Sequence, residues 1–320
     1  MHVILASPRG FCAGVNMAIE CVDRVLEIKG PPVYVYHQIV HNRHVVQDFE
    51  RRGVVFVEDV ADVPPGAVLV YSAHGVSPAV RQAARQRKLV QIDATCPLVT
   101  KVHLEVLRFA REGRTIVFIG HRDHDEATGT VGEAPDSMVV VESVQDVAQL
   151  RVGDPDRVAY VTQTTLSVSE AADIIAALKA RFPSIQSPPR EDICYATTNR
   201  QAAVRELAAD VDLVLIIGSR NSSNSQRLVE TARLAGGRAH LIDDESEIDP
   251  GWFAGVCRVL VTAGASAPEH LVESLLARLR RDWSATVQIR SVAQEDLAFA
   301  LPRSIQSLTV GGRPHQAVCR

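Results

Sequence analysis

The stretch Arg9-Gly10-Phe11-Cys12-Ala13-Gly14 ends an extended run and opens an amphipathic helix, with a cysteine at the junction. Two later stretches share this layout: Asp93-Ala94-Thr95-Cys96-Pro97-Leu98 and Asp192-Ile193-Cys194-Tyr195-Ala196-Thr197. The interval is about 90 residues, a period that suits small domains and is too long for a solenoid. Three αβ units related by pseudo-three-fold symmetry would bring Cys12, Cys96 and Cys194 to one centre. Three converging thiolates are first of all a metal or iron–sulfur site.

The repetition continues past each cysteine. An apolar strand follows each helix and turns polar at its end: Val33 to Tyr36 before His41, Ile116 to Ile119 before His121 and His124, Leu213 to Ile217 before Ser222-Ser223-Asn224. A second strand comes next: Val68 to Tyr71 before Ser72-Ala73-His74-Gly75, Val158 to Val161 before Thr162-Gln163-Thr164-Thr165, Val259 to Val261 before Thr262-Ala263-Gly264-Ala265-Ser266. Apolar runs ending in small or hydrogen-bonding residues are the carboxyl ends of parallel strands around a ligand crevice. Helices are expected over 15–28, 79–87, 99–111, 168–180, 200–209, 225–234 and 267–280. The alternation defines an α/β protein with parallel sheets. Its units are expected at 1–95 (with the N-terminal strand, Val3 to Ala6, and Cys12), 96–193 (Cys96) and 194–302 (Cys194), followed by a mobile tail, 303–320.

Composition narrows the function classes. Acidic residues outnumber basic ones, 38 to 34, so the chain has no basic field for nucleic acid. The chain shows neither a cationic leader nor a membrane-length apolar run, and a soluble, cytoplasmic protein is expected. Six cysteines in 320 residues, without CxxC spacing, resemble neither a secreted disulfide framework nor structural zinc. Cys21 and Cys257 read as small buried hydrophobes, and Cys319 lies in the tail. The clusters Arg81 to Lys88 and Arg278 to Arg281 read as solvated surface. At a helix N-terminus, unpaired amides and the helix dipole stabilise a thiolate. Three such thiolates fit a cubane cluster with one iron left open, a Lewis acid able to take a substrate oxygen.

The strand ends supply neutral or switchable donors in the number a diphosphate needs: His41, His74, His124, Ser222, Ser223, Asn224 and Ser266. His37, His44 and His121 fit this set less well, and Gly75 and Gly264 permit close backbone approach. Glu126, two residues past His124, is the natural proton donor, because a carboxylic acid in a dry pocket keeps its proton to higher pH.

Eight motifs in order resemble the LytB/IspH family, the 4-hydroxy-3-methylbut-2-enyl diphosphate reductases, from the first residues to about Leu301. They begin at Pro8-Arg9-Gly10-Phe11-Cys12, Val40-His41-Asn42-Arg43, Ser72-Ala73-His74-Gly75, Asp93-Ala94-Thr95-Cys96-Pro97, Thr162-Gln163-Thr164-Thr165, Asp192-Ile193-Cys194-Tyr195, Gly218-Ser219-Arg220-Asn221-Ser222-Ser223-Asn224 and Thr262-Ala263-Gly264-Ala265-Ser266. The resemblance implies three domains around a 4Fe-4S cluster held by Cys12, Cys96 and Cys194, with one iron not ligated by protein. It implies reductive removal of an allylic hydroxyl to give isopentenyl and dimethylallyl diphosphate, the last step of the non-mevalonate isoprenoid pathway. His41, His74, His124, Ser222, Ser223, Asn224 and Ser266 would grip the diphosphate, Glu126 would deliver protons, Thr164 would fix the leaving hydroxyl, and Thr165 and Thr197 would line the site. Electrons would come from a ferredoxin or flavodoxin, since the chain has no flavin or nicotinamide fingerprint.

One stretch departs from the family pattern. Where His-Pro-Glu-Val, a polar residue and Gly-Thr are usual, this chain reads His124-Asp125-Glu126-Ala127-Thr128-Gly129-Thr130, and Glu133 replaces the usual Gln. Losing proline frees the backbone, and Asp125 beside Glu126 is expected to favour protonation of one carboxyl if both are buried together. The same residues also admit a divergent paralogue with altered substrate or rate, a dehydratase on the same scaffold, or a non-catalytic diphosphate-binding iron–sulfur protein.

Overall fold

The computed structural model describes residues 1–306, 308–310 and 313–314. From its first element the chain alternates strand and helix: β1 (His2–Ser7), α1 (Ala13–Lys29), β2 (Val33–Tyr36), α2 (Arg43–Arg51), β3 (Val54–Val57), β4 (Val68–Tyr71), α3 (Pro78–Gln86) and β5 (Val90–Asp93). Next come α4 (Pro97–Arg111), β6 (Thr115–Ile119), α5 (Asp125–Val131), β7 (Met138–Val141), α6 (Val144–Gln149), β8 (Val158–Thr162) and α7 (Val168–Arg181). The last stretch holds α8 (Tyr195–Ala208), β9 (Leu213–Ile217), α9 (Ser223–Leu234), β10 (Ala239–Ile242), β11 (Arg258–Ala263), α10 (Glu269–Trp283), β12 (Thr286–Ser291) and the short α11 (Arg303–Gln306).

Helix starts follow local chemistry. The side chains of Asn42, Ser77, Ser167 and Ser222 accept backbone N–H groups at the first turns of α2, α3, α7 and α9, and Pro78 and Pro97 fit positions whose missing N–H costs nothing. Cys12, Cys96 and Cys194 occupy the cap positions of α1, α4 and α8.

Three all-parallel sheets result, ordered β3-β2-β4-β5, β7-β6-β8 and β10-β9-β11-β1-β12. Each contains the same trio, with the first strand of the unit in the middle. Its chain connections leave toward opposite edges, so a crevice opens between β2 and β4, between β6 and β8, and between β9 and β11. Both faces of each sheet are covered. In the second sheet Val117 and Ile119 pack toward α7, while Ile116 and Phe118 pack toward α4. That two-sided burial explains why the central strands read as unbroken apolar runs.

The first strand corrects the expected domain boundary. β1 lies between β11 and β12 in the third sheet, not with the unit that Cys12 opens. Val3 and Leu5 enter one core of that sheet and Ile4 and Ala6 the other, so β1 needs neighbours on both edges and layers on both faces. The chain from 9 to 12 then crosses into the first unit. The tail also differs from expectation in its described part: Ile305 and Leu308 are buried in the core formed by α1 and β2. Cys319 lies outside the described residues. Cys21 is buried as expected, whereas Cys257 is exposed, because it precedes the solvent-facing start of β11.

Arg200 locks the first and third units together. Its fully buried guanidinium donates to the carbonyls of Ala196 and Gly10 and pairs with Glu295 at 3.0 Å. Glu295→Ala would strand that charge, and should cost about 3–5 kcal/mol of unfolding free energy in a denaturant titration.

Candidate active site

Each cysteine amide is tied to a neighbouring unit by the same bond. Cys12 donates to the Ala265 carbonyl (3.2 Å), Cys96 to Ala73 (3.0 Å) and Cys194 to Thr164 (3.0 Å). The acceptor is always the second residue beyond β11, β4 or β8. Each unit therefore presents its cysteine at the crevice of the unit before it, in a closed ring. Tyr195 reinforces the ring, its hydroxyl accepting the Ala13 amide.

The three thiols line one cavity, together with His41, His74, His124, Glu126, Thr164, Thr165, Thr197, Ser222, Ser223, Asn224 and Ser266. The crevice strands place equivalent positions around it. One set follows the middle strands, His41, His124 and Ser222; the other follows their partners, His74, Thr165 and Ser266. His41 and His74 stack with centroids 4.0 Å apart, and His124 meets both edge-on, at 5.1 and 5.6 Å. Burial pushes all three imidazoles toward the neutral form, His124 down to about 4 and His74 well below its usual value. The His124 Nδ1 accepts the Glu126 amide at 3.1 Å, so its single proton sits on Nε2.

The hydroxyl side of the cavity is a connected network. Ser266 bonds Ser222 and the His41 carbonyl, and Ser223 bonds Thr165. Asn224 reaches Thr197 with its amide group and accepts the Ala265 amide. Gln163 donates to Thr165 and Ser223, a role read from the sequence only as part of a motif. His37, His44 and His121 lie outside the cavity lining.

Glu126 sits in the first turn of α5, 2% exposed. Thr164 holds both oxygens, its amide donating to Oε1 at 2.7 Å and its hydroxyl to Oε2 at 2.9 Å. Burial nevertheless pushes the carboxyl up to about 7 against those bonds, and the charge of Asp192 adds to the shift. The expectation that Asp125 favours protonation of one carboxyl requires both to be buried together, and that condition is not met, because the two side chains part. Asp125 turns to His37 at 2.7 Å, and burial alone would raise it, but that imidazole holds it below the ordinary carboxylate range. The second departure, Glu133, accepts from Arg81 and bonds His103 Nδ1, both at 2.9 Å. Arg81 is thus an ion-pair partner, not purely solvated surface.

The trithiol floor fits an iron–sulfur cluster by its donors and its shape. The amide of Thr197 donates to the Cys194 sulfur at 3.4 Å. Gly14 lies between two of the sulfurs: a Cβ there would stand 2.5 Å from the Cys96 Sγ and 4.0 Å from the Cys12 Sγ. Only a residue without a side chain leaves that space open. Burial and nearby charge raise two of the thiols, Cys96 to about 12 and Cys194 to about 11, so a cationic centre is what would hold those two as thiolates.

Fold and site define an α/β protein of three sheets that deliver three thiols and a wall of hydrogen-bond donors to one cavity. The chain belongs to the LytB protein family, which matches residues 3–280. It is 56% identical over 307 residues to the 4-hydroxy-3-methylbut-2-enyl diphosphate reductase of Mycolicibacterium paratuberculosis, covering 96% of this chain and 92% of that protein. The reductase of the same name from Rhodopirellula baltica is 53% identical, with 96% of each covered. Among solved structures, the E-1-hydroxy-2-methyl-but-2-enyl-4-diphosphate reductase from Plasmodium falciparum aligns with a TM-score of 0.93 at 41% identity, covering 95% of this chain and 96% of that one.

The Glu126 carboxyl predicts a pH-dependent stability. Its folded-state value of about 7 lies above the ordinary 4.5, so its cost to folding grows as pH climbs from 4.5 to 7 and is complete above. Glu126→Gln should therefore raise the melting temperature more at pH 8 than at pH 5, as measured by calorimetry.

Proposed function

We propose that this chain is a 4-hydroxy-3-methylbut-2-enyl diphosphate reductase, removing the allylic hydroxyl to give isopentenyl and dimethylallyl diphosphate at the end of the non-mevalonate isoprenoid pathway. The observation that carries this reading is the convergence of three cap-position cysteines, a crown of neutral imidazoles and hydroxyls, and one buried carboxyl on a single cavity. The overall change consumes two electrons and two protons, and releases the hydroxyl as water.

Cys12, Cys96 and Cys194 would hold a 4Fe-4S cluster with one iron free of protein ligands. When bound, the cluster supplies the electrons and a Lewis-acidic iron. An external ferredoxin or flavodoxin would recharge it. The remaining work belongs to this chain's own side chains. His41, His74 and His124, with Ser222, Ser223, Asn224 and Ser266, offer donors for the diphosphate, and neutral rings avoid a standing charge in the dry pocket. The apolar residues Val15, Leu98 and Val99 limit the water around the reacting carbons. Thr164 bridges Glu126 and the position of the leaving hydroxyl, while Thr165 and Thr197 line its path. Glu126, protonated near neutral pH, supplies the proton that departs with the hydroxyl.

The test is anaerobic reconstitution followed by turnover of the allylic diphosphate with a chemical reductant. A protein that stays colourless and free of iron and labile sulfide would overturn the reading. Gly14→Val should lose iron as fully as Cys96→Ser does, although it keeps all three thiols. Turnover should fall as pH rises through about 7, and Glu126→Gln should slow it by about 10²–10⁴-fold.

A further inference from the structure

Asp125 stands just behind the imidazoles of the cavity, on the first residue of α5. Its Oδ1 meets His37 Nδ1 at 2.7 Å, while its Oδ2 lies 3.6 Å from His41 Nε2 and 3.9 Å from His74 Nδ1. Among the described residues the buried His74 Nδ1 has no hydrogen-bond partner, and Asp125 is the carboxylate facing it. His37 adopts a left-handed backbone, φ 56°, a costly conformation for a residue with a side chain. Its amide bond to the Val57 carbonyl and its bond to Asp125 hold it there.

His41, His74 and Asp125 have the donor set of a divalent-metal site. Ring geometry argues against that use. The two imidazoles are stacked 18° from parallel, so their in-plane lone pairs run side by side and do not converge on one point. A carboxylate facing two stacked rings does something else well: it accepts an N–H from one nitrogen of a ring whose other nitrogen donates to an anion.

We propose that Asp125 is a positioning residue for the diphosphate pocket, accepting from His41 and His74 so that each ring, on taking up a proton, donates to Asp125 on one side and to the diphosphate on the other, His41 exchanging for the anion the Asn221 amide that its Nδ1 meets at 3.4 Å. This rests on the diphosphate reading above. A neutral ring that gave its only proton to Asp125 would turn a lone pair toward the anion. Capture is therefore linked to proton uptake, and Asp125 provides the counter-charge that permits it.

His37 keeps that counter-charge from repelling the ligand. The hydrogen bond to Asp125 raises His37 above the usual histidine value despite its burial. While His37 is protonated, the pair carries no net charge; once it loses its proton, Asp125 faces the diphosphate uncompensated. The other titratable groups around the pair are Glu58, 3.6 Å from His37 Nε2, Tyr36 at the end of β2, and His124. The charge of Asp59 also acts on Tyr36.

Calorimetric titration of inorganic diphosphate into the cluster-loaded full chain, in buffers of different ionisation enthalpy, reads affinity and proton uptake together. Wild type should bind with proton uptake and lose affinity as pH rises above 6.5. Asp125→Asn should bind about tenfold more weakly at pH 6.5, take up fewer protons and show a flatter pH profile, with Asp125→Glu restoring part of each. In turnover, KM should rise more than kcat falls. Simple charge repulsion predicts the opposite sign, since removing a carboxylate should tighten anion binding. Equal or tighter binding by Asp125→Asn, or by His37→Gln should Asp125→Asn fail to fold, would overturn the proposal and leave the diphosphate reading intact. Wild type that binds no diphosphate would remove both.

Discussion

The site depends on a ring of three backbone hydrogen bonds. The amides of Cys12, Cys96 and Cys194 donate to Ala265, Ala73 and Thr164, each in a crevice loop of the preceding unit. No unit is complete alone, because each lends its cysteine to the unit before it and receives one from the unit after it. The arrangement fixes the backbone at every cap position without using the sulfur, which leaves all three thiols free to converge. The same crevice loops carry His74, Thr165 and Ser266 one residue further on, so floor and wall are positioned by the same peptide units.

Charge is then managed by burial. The imidazoles are driven neutral and Glu126 is driven to hold its proton, both because an ion in this cavity has little solvent to stabilise it. Asp125 and Glu126 are chain neighbours with opposite outcomes. One is turned to an imidazole and ionises early, the other is turned to a threonine in the apolar interior and ionises late. Direction of the side chain, not position in the sequence, decides which one can act as an acid.

Much of this was legible from residues alone. The central strands are buried on both faces, so their apolar runs stood out, and the polar residues ending them were the lining of the cavity. Short edge strands such as β12, mostly exposed, and the seven-residue α5 carry too little periodicity to be read. The sheet that β1 joins was equally hidden, since Val3 to Ala6 would suit the interior of any of the three. Side-chain direction at Asp125, and the ion pair that draws Arg81 to Glu133, needed coordinates, because their partners lie far away in the chain.

The placement of β1 sets an order of assembly. Its two neighbours, β11 and β12, are the last strands of the three large sheets to leave the ribosome, so β1 waits through the synthesis of the other sheets before it can pair. The loop bearing Cys12 hangs from that strand and from Ala265. A nascent chain can fold its second unit and present Cys96 while the trithiol floor is still open. On the proposed reading of the three thiols as cluster ligands, cofactor delivery would be confined to nearly finished chains, and a truncated product would expose thiols without the geometry to keep a cluster.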